Sequence, residues 1–353
     1  MKVLLAGAGG AIGLPLTRML IDGGHEVVGL TRSDRSHDRL RALGARPVAA
    51  DVLDWESLGP ALDGIGADAV VHQLTQLRKP PLFHRSMRGT DRLRDLGTRN
   101  LVRAAGLVGA RRFVTQSMLF GYGYDDATGK VYTEDDPFAP RGRGRFEEHL
   151  AAMRTNERLV LDNSDLEGVA LRYGLFYGVG AADDQMVAAI RKRQMPALRN
   201  AGPLSWVYLD DAVTATVAAV ERGKPGEAYN VVDDEPVSWT ALMTELARDL
   251  GARPPFALPS WALAATPYIR TVVRGGVCAS NAKARRELAW VPEVASYREG
   301  VARIAARSSA SRAARLEPSS AEHANASSTR PTTSSEPSRS TARPSSSDSV
   351  VEK

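Results

Sequence analysis

The chain has 353 residues, 43% of them hydrophobic and 25% charged, and a formal net charge of +5 at pH 7, which is typical of a globular protein with one large or two unequal domains. Its single cysteine, Cys278, excludes internal disulfides and a cysteine-rich metal site. We find no nucleic-acid-binding motif, secretion signal or membrane-length apolar run, so we expect a cytoplasmic protein with neither nucleic-acid nor membrane partners.

Apolar runs and amphipathic stretches alternate along the first third of the chain. Because the runs lack polar–apolar alternation, they predict parallel strands that are buried on both faces and separated by helices. The predicted strands are 2–6, 25–30, 46–50, 67–72 and 112–116, with 168–172 and 228–232 as later strands of the same sheet. The predicted helices between the first five strands are 11–21, 35–43, 55–62 and a long one over 88–108.

A glycine-rich turn joins the first predicted strand to the first predicted helix. Gly7, Gly10 and Gly13 are spaced as G-x-x-G-x-x-G, so the backbone there can approach a pyrophosphate whose charge is stabilised by free amides at the helix N-terminus. We therefore expect Gly7, Gly10, Ala11, Ile12 and Gly13 to bind a dinucleotide. Together with the strand–helix alternation, this turn predicts an α/β fold with a Rossmann-type doubly wound parallel sheet.

Three parts of the chain follow from this pattern. Residues 1–175 and 206–235 are predicted to form the dinucleotide-binding domain, and residues 176–205 and 236–306 a smaller C-terminal lobe that binds substrate. Residues 307–353 contain 15 Ser, 4 Thr, 4 Pro and 7 Ala. Such a stretch buries too little apolar surface to offset its ordering entropy, so we predict a disordered tail.

The residues after the second and third strands address the choice of cofactor. The segment Gly29-Leu30-Thr31-Arg32-Ser33 has no carboxylate for a ribose 2′-hydroxyl, and Arg32 suits a 2′-phosphate, so NADP is favoured and NAD is the alternative. Arg32 could instead be a solvated residue at the start of a helix. Asp51 and Val52 are expected to border the adenine, although Asp51 could equally cap the next helix.

Several segments match one known family in order along the chain: 7–13, 50–52, Asn100, 112–117, 171–174 with 177–178, 206–211, 226–230 and 280–292. On these residues the chain resembles an extended short-chain dehydrogenase/reductase of the NAD-dependent epimerase/dehydratase family. The resemblance implies a dinucleotide cofactor, with Leu74 and Tyr173 lining its site, and a small-molecule substrate. A homodimer is a further expectation from the family.

The catalytic pair of that family is absent from this chain. The family's chemistry uses Tyr-x-x-x-Lys, but none of the nine tyrosines is followed by lysine four positions later. The resemblance puts His149 in the tyrosine position and Met153 in the lysine position. A histidine there could act as a general acid near neutral pH; the alternative is a half-exposed histidine on a polar helix. Tyr122 or Tyr124 is a second candidate donor.

Other polar residues near the predicted strand ends have two interpretations each. Ser117 fits a serine that hydrogen-bonds a substrate oxygen, or it only closes a strand. His72 lies on the nicotinamide-ribose side by resemblance, or it is a packed core histidine. Asp210 and Asp211 precede an apolar helix, which one of them is expected to cap, so we expect no metal site there.

These features lead to one preferred function and two alternatives. The preferred function is an NAD(P)-dependent oxidoreductase that transfers a hydride to or from a small carbonyl or alcohol with an atypical proton donor. A nucleotide-sugar epimerase or dehydratase is the first alternative, and the missing Tyr–Lys pair counts against it. The second is a binding protein that senses the dinucleotide and has lost catalysis.

Overall fold

The computed structural model describes residues 1–77, 81–124, 129–142, 144–178 and 183–316 of the chain. Two compact units are distinguished, Met1–Ala310 and Ser311–Lys353. Within the described residues, none of the helices combines the length and the apolar character that crossing a membrane would require.

A seven-stranded parallel sheet forms the centre of the first unit, as predicted. Its strand order is β12-β7-β5-β4-β1-β2-β3, and each neighbouring pair is parallel. The sheet strands are β1 (Lys2–Ala6), β2 (Glu26–Thr31), β3 (Arg46–Ala49), β4 (Ala69–His72), β5 (Arg112–Met118), β7 (Glu167–Tyr173) and β12 (Glu227–Val231). The short strands are β6 (Val131–Tyr132), β8 (Leu175–Tyr177), β9 (Ala197–Leu198), β10 (Pro203–Leu204), β11 (Trp206–Tyr208), β13 (Val237–Ser238), β14 (Ala257–Leu258) and β15 (Cys278–Ala279).

Helices cover both faces of this sheet and build the later part of the unit. They are α1 (Gly13–Asp22), α2 (Asp34–Ala42), α3 (Trp55–Ala61), α4 (Arg88–Arg92), α5 (Thr98–Val108), α6 (Phe146–Leu161), α7 (Asp183–Arg191), α8 (Leu209–Arg222), α9 (Trp239–Asp249), α10 (Pro267–Gly275), α11 (Ala282–Glu287) and α12 (Tyr297–Leu316).

The two faces of the sheet carry separate apolar cores. One core contains Val3 and Leu5 of β1 together with residues of α1 and α8, and the other contains Leu4 and Ala6 of β1 with residues of α3 and α5. Alternate residues of one strand therefore point to opposite faces, and both faces are buried under helices. This explains why the strands are continuously apolar in the sequence, and it confirms the doubly wound fold.

Strand order reverses between β1 and β4, which lie side by side. Val3 pairs with Ala69, and Ala6 pairs with His72, while β2 continues the sheet in one direction and β5 in the other. In open α/β sheets the connections leave in opposite directions at such a point and open a crevice at the carboxyl ends of the strands. The site is therefore expected beyond Ala6, His72 and the end of β5.

Two predicted elements differ from the structure. The long helix predicted over 88–108 is interrupted by a π-helical turn, Leu93–Gly97, between α4 and α5, because a period of 3.6 residues in the sequence does not reveal a one-residue widening of a turn. At the other end, α12 continues to Leu316, ten residues into the predicted tail, since Ala, Arg and Leu favour a helix. Residues 317–353 of the predicted tail lie outside the described part.

Candidate functional site

The glycine turn after β1 is built so that no side chain can occupy it. Gly7 has φ of +90°, and a Cβ there would lie 2.7 Å from the carbonyl oxygen of Gln73. A Cβ on Gly13 would overlap the carbonyl oxygen of Gly7. That oxygen accepts a hydrogen bond from the Gly10 amide at 2.9 Å. The close packing of helix on strand leaves bare backbone, and Gly10 and Ala11 are exposed. This arrangement fits the pyrophosphate of a dinucleotide.

The start of α1 supplies the amides for such an anion. Ile12 precedes the helix as its N-cap, with no side-chain cap, so no side chain of the chain itself competes for the first free amides. The Leu14 and Leu16 amides donate to the Gly10 and Ile12 carbonyls. Of the turn amides before them, the Gly10 amide donates to the Gly7 carbonyl, and those of Ala8, Gly9, Ala11 and Ile12 donate to no described residue and are left for a ligand.

The ends of β2 and β3 place Arg32 beside Asp51. Arg32 Nη1 lies 3.3 Å from Asp51 Oδ2, and both side chains are more than one-third exposed. Asp51 Oδ1 also accepts from the Leu53 amide at 3.0 Å, a local turn and not a cap of α3, whose N-cap is Asp54. Val52 is buried. Arg32 and Asp51 are thus brought together at the edge where a cofactor's adenosine half would lie.

Two hydroxyl residues complete this edge and were not found from the sequence. A Cβ on Gly9 would lie 2.5 Å from Ser36 Oγ and 3.3 Å from Thr31 Oγ1, so the glycine turn is in contact with the start of α2. The sequence shows these hydroxyls but no pattern that would place them against the turn.

Gln73, just after β4, links the sheet edge to Tyr173. Gln73 Nε2 donates to Tyr173 Oη at 3.0 Å, and Tyr173 Oη also bonds Thr216 Oγ1 at 2.6 Å. Burial raises the pKa of Tyr173 to about 12. Gln73 Oε1 is buried without a hydrogen-bond partner. Tyr173 therefore orients Gln73 from within the core, while Leu74 beyond it is only partly buried.

His72 is held neutral at the end of β4. Its Nδ1 accepts from the Leu74 amide at 3.2 Å, and burial lowers the pKa of its imidazole to about 4, with the nearby Arg94 charge acting in the same direction. Near neutral pH this ring carries its proton on Nε2 only.

Ser117 lies near the end of β5, opposite Arg172 of β7. It is fully buried, and its Oγ has no hydrogen-bond partner among the described residues. A buried hydroxyl without a partner is uncommon in a folded protein and calls for a ligand atom or a water.

His149 is fully buried on α6 in a chain of three side chains, so the alternative of a half-exposed residue is wrong. Its Nδ1 lies 2.7 Å from Asp91 Oδ2, and its Nε2 lies 2.9 Å from His84 Nδ1. With Asp91 ionised, His149 donates through Nδ1 and accepts from His84 Nδ1. We call Asp91, His149 and His84 the histidine relay.

The outer end of the relay is His84, which lines a small surface pocket with Arg85, Arg88, Arg145 and Glu148. Burial lowers the pKa of His84, and electrostatic interactions with His149 and Arg145 lower it further. Its ring stacks on His149 with centroids 5.2 Å apart. Since both nitrogens of His149 are engaged, a proton can enter or leave this chain at His84.

Sequence reasoning named Tyr124 and Met153 but missed Arg94, Asp91 and His84. Arg94, in the π turn, is 3.8 Å from Asp91, and Tyr124 and Tyr268 pack around His149. Met153, one turn after His149, is buried. No sequence spacing predicts that Arg94, Asp91 and His84 lie near His149. A basic and an acidic residue on the inward face of a predicted amphipathic helix could, however, have indicated a site there.

Tyr122 lies in a different hydrogen-bond network. Its hydroxyl donates to Asn230 Oδ1 at 2.9 Å and accepts from Arg172 Nη1 at 2.8 Å, and Arg172 pairs with buried Glu157 at 2.8 Å. Burial raises the pKa of Tyr122 to about 12. The structure does not bring Tyr122 into hydrogen-bond contact with the histidine relay.

Asp211 is not the cap of α8 that was expected. The N-cap of this helix is Tyr208, with no side-chain cap. Asp211 instead accepts from the Glu293 and Val294 amides at 2.8 and 2.9 Å, because its buried position faces that loop. Within the described residues no group of three or more His, Cys, Asp and Glu side chains could hold a metal ion.

Comparison with known proteins agrees with this arrangement. Residues 3–232 match the model of the NAD dependent epimerase/dehydratase family. The chain is 39% identical over 86% of its length to the whole of a 3-diazoavenalumate denitrifying reductase from Streptomyces sp.. It is 27% identical over 88% of its length to the whole of a 2-alkyl-3-oxoalkanoate reductase from Stenotrophomonas maltophilia.

Among solved structures, the fold matches a dTDP-glucose 4,6-dehydratase from Streptomyces venezuelae with NAD bound. The TM-score is 0.71 at 22% identity, over 89% of this chain and 98% of that one. The glycine turn, the parallel sheet and the reductase relatives point the same way. The chain belongs to the NAD-dependent epimerase/dehydratase family, and it is an NAD(P)-dependent oxidoreductase of that family.

Proposed function

We propose that the protein is an NADP-dependent reductase of a small carbonyl compound, with an atypical proton donor. The observation that carries this proposal is the buried histidine relay, whose His149 the family resemblance puts in the position of the tyrosine. When bound, the reduced nicotinamide supplies a hydride to the carbonyl carbon, and one proton from the protein completes the alcohol. Two relatives that match along their whole length are named reductases, which supports reduction over sugar epimerisation.

The preference for NADP rests on Arg32. Its guanidinium has a single exposed partner, Asp51, and a 2′-phosphate is a stronger bidentate partner for it than a ribose hydroxyl. Thr31 and Ser36 add hydroxyl donors beside Gly9. In the same site Gln73, just after β4, and Tyr173, at the end of β7, support the cofactor.

The proton path in this proposal uses the relay and Ser117. Ser117 Oγ, which lacks a partner, donates a hydrogen bond to the reacting oxygen and orients it. The proton itself comes from the His149–His84 pair, which Asp91 stabilises when it is protonated. Because Asp91 and His84 engage both nitrogens of His149, the proton leaves the relay at His84, which lines the arginine-rich pocket.

Reduction of a diazo compound is a second candidate. A relative that matches along its whole length is named a 3-diazoavenalumate denitrifying reductase. An aryl diazonium that accepts a hydride becomes an arene and releases N₂, so both atoms and charge balance without a proton. This reaction needs no Tyr–Lys pair, and the absence of that pair from this chain favours it.

One experiment separates these functions. Purified full-length chain is assayed for NADPH oxidation with 3-oxo acids and esters and with an aryl diazonium, using wild type and His149→Gln. Carbonyl reduction is expected to fall about 100-fold in kcat in the variant, as for loss of a general acid, whereas diazonium reduction is expected to be unchanged. NADPH binding without turnover of either substrate would sink both functions and leave a sensing protein.

A further inference from the structure

Arg94 is a buried cation whose hydrogen-bonding capacity is not used. Its side chain is 7% exposed, yet its guanidinium donates no hydrogen bond to any described residue, and the buried Nη1 has no hydrogen-bond partner among them. A guanidinium has five N–H donors, and a buried charge without hydrogen bonds is costly. Arg94 is therefore unlike the exposed arginines of the chain and calls for an acceptor.

Asp91 does not fill that role. Its Oδ1 lies 3.8 Å from Arg94 Nη1, beyond hydrogen-bond distance, and is itself buried without a partner. Its other oxygen, Oδ2, is engaged by His149 Nδ1 at 2.7 Å. The pair gains Coulomb attraction but no directional bond. The guanidinium fork remains available to a planar anion.

Arg94 lies near the end of β4, at the carboxyl edge of the sheet. Its charge contributes to the lowered pKa of His72 there and acts on Tyr124 and Tyr268. Ligands of open α/β sheets bind at this edge, and Ser117 with its unpartnered hydroxyl lies near the end of the adjacent strand. The available fork is thus on the side where substrate is expected.

We propose that Arg94 binds the carboxylate of an oxo-acid substrate at the carboxyl edge of the sheet. A carboxylate matches the planar fork in two parallel hydrogen bonds. This substrate class rests on the proposed reductase function.

The test compares an acid with its ester in wild type, Arg94→Met and the exposed neighbour Arg92→Met. Wild type is expected to reduce 3-oxooctanoate with kcat/KM about 100-fold above that for methyl 3-oxooctanoate. Arg94→Met should abolish this preference by raising KM for the acid about 100-fold more than KM for the ester, and Arg92→Met should keep it. If Arg94→Met instead lowered kcat/KM for the acid and the ester equally, it would act only by damaging the histidine relay, and this result would overturn the carboxylate role.

Binding without chemistry separates this inference from the proposed function. Octanoate, which cannot be reduced, is titrated calorimetrically into each variant with NADP⁺ present. Wild type and Arg92→Met are expected to bind it, and Arg94→Met to bind it about 100-fold more weakly, even if no oxo acid is turned over. Absence of octanoate binding to wild type, or equal binding to Arg94→Met, would overturn the inference. Thermal unfolding of each variant identifies any loss of fold.

Discussion

Met153 lies one turn after His149, where the family resemblance expects a lysine, and it is 1% exposed among apolar neighbours. An ammonium there would need a buried counter-charge, so the thioether is the stable choice once the tyrosine partner is a histidine. The cation of this region comes instead from Arg94, on a different helix.

The choice of dinucleotide also rests on single residues, above all on Arg32. Arg32→Gln removes the charge and keeps the length of the side chain. We expect the Kd for NADPH to rise about tenfold or more, as for loss of a charge-assisted pair, while the Kd for NADH changes little. Fluorescence titration of both cofactors measures this.

Arg39→Gln, an exposed arginine later on α2, is the matched control and should bind both cofactors as wild type does. If wild type already binds NADH more tightly than NADPH, the role given to Arg32 is wrong.

At the scale of elements, the π turn Leu93–Gly97 between α4 and α5 determines which side chains reach α6. Thr98 Oγ1 donates to the Arg94 carbonyl at 2.7 Å and contacts Asn156 Oδ1 at 2.8 Å, so a hydroxyl satisfies a carbonyl at the turn. A π turn widens the helix locally and is frequent at functional sites. Here Asp91 and Arg94 are both directed inward, toward His149.

Helix α8 is tied to the loop before α12 by one carboxylate. Asp211 accepts from two loop amides, Glu293 and Val294. We expect Asp211→Ala to lower the free energy of unfolding by about 2 to 3 kcal/mol, because two buried amides lose their acceptor. Asp210→Ala, the exposed neighbour on the same helix, should stay within about 0.5 kcal/mol of wild type.

Urea denaturation of both variants measures these differences. Equal effects of Asp210→Ala and Asp211→Ala would show that the carboxylate does not anchor the loop.

At the scale of the whole molecule, two buried groups give opposite pH dependences of stability. His72 has a pKa of about 4 in the folded state, so stability is lost as pH falls from about 6.5 toward 4, by up to about 3 kcal/mol, because only the unfolded chain binds the proton. Burial raises the pKa of Asp233 to about 7, so the folded chain holds an extra proton and stability falls as pH rises toward 7.

In wild type the pH dependences that His72 and Asp233 give to the free energy of unfolding oppose each other. His72→Asn, which keeps an acceptor for the Leu74 amide, is expected to leave the falling contribution of Asp233, so the unfolding free energy should decrease from pH 4.5 to pH 7. Asp233→Asn should show the reverse, with stability rising over the same range. Urea denaturation at several pH values tests this, and parallel profiles for wild type and His72→Asn would contradict it.

The sequence by itself determined the sheet, the glycine turn and the cofactor class. A buried strand is continuously apolar, and a turn with no room for Cβ demands glycine, so both are visible within a few neighbouring residues. It also showed that Tyr-x-x-x-Lys is absent. The helix boundaries came within a few residues, apart from the π turn and the continuation of α12.

The contacts of His149 were decided only by the tertiary structure. His149 is 58 residues from Asp91 and 65 residues from His84 along the chain, yet it contacts both. The ring of Tyr268, which packs against His149, comes from α10. A half-exposed His149 was the alternative that the sequence left open, because Glu147 and Glu148 precede it. The burial of His149 follows from packing by three distant segments, and contacts at such separations depend on how the whole chain folds and not on local pattern.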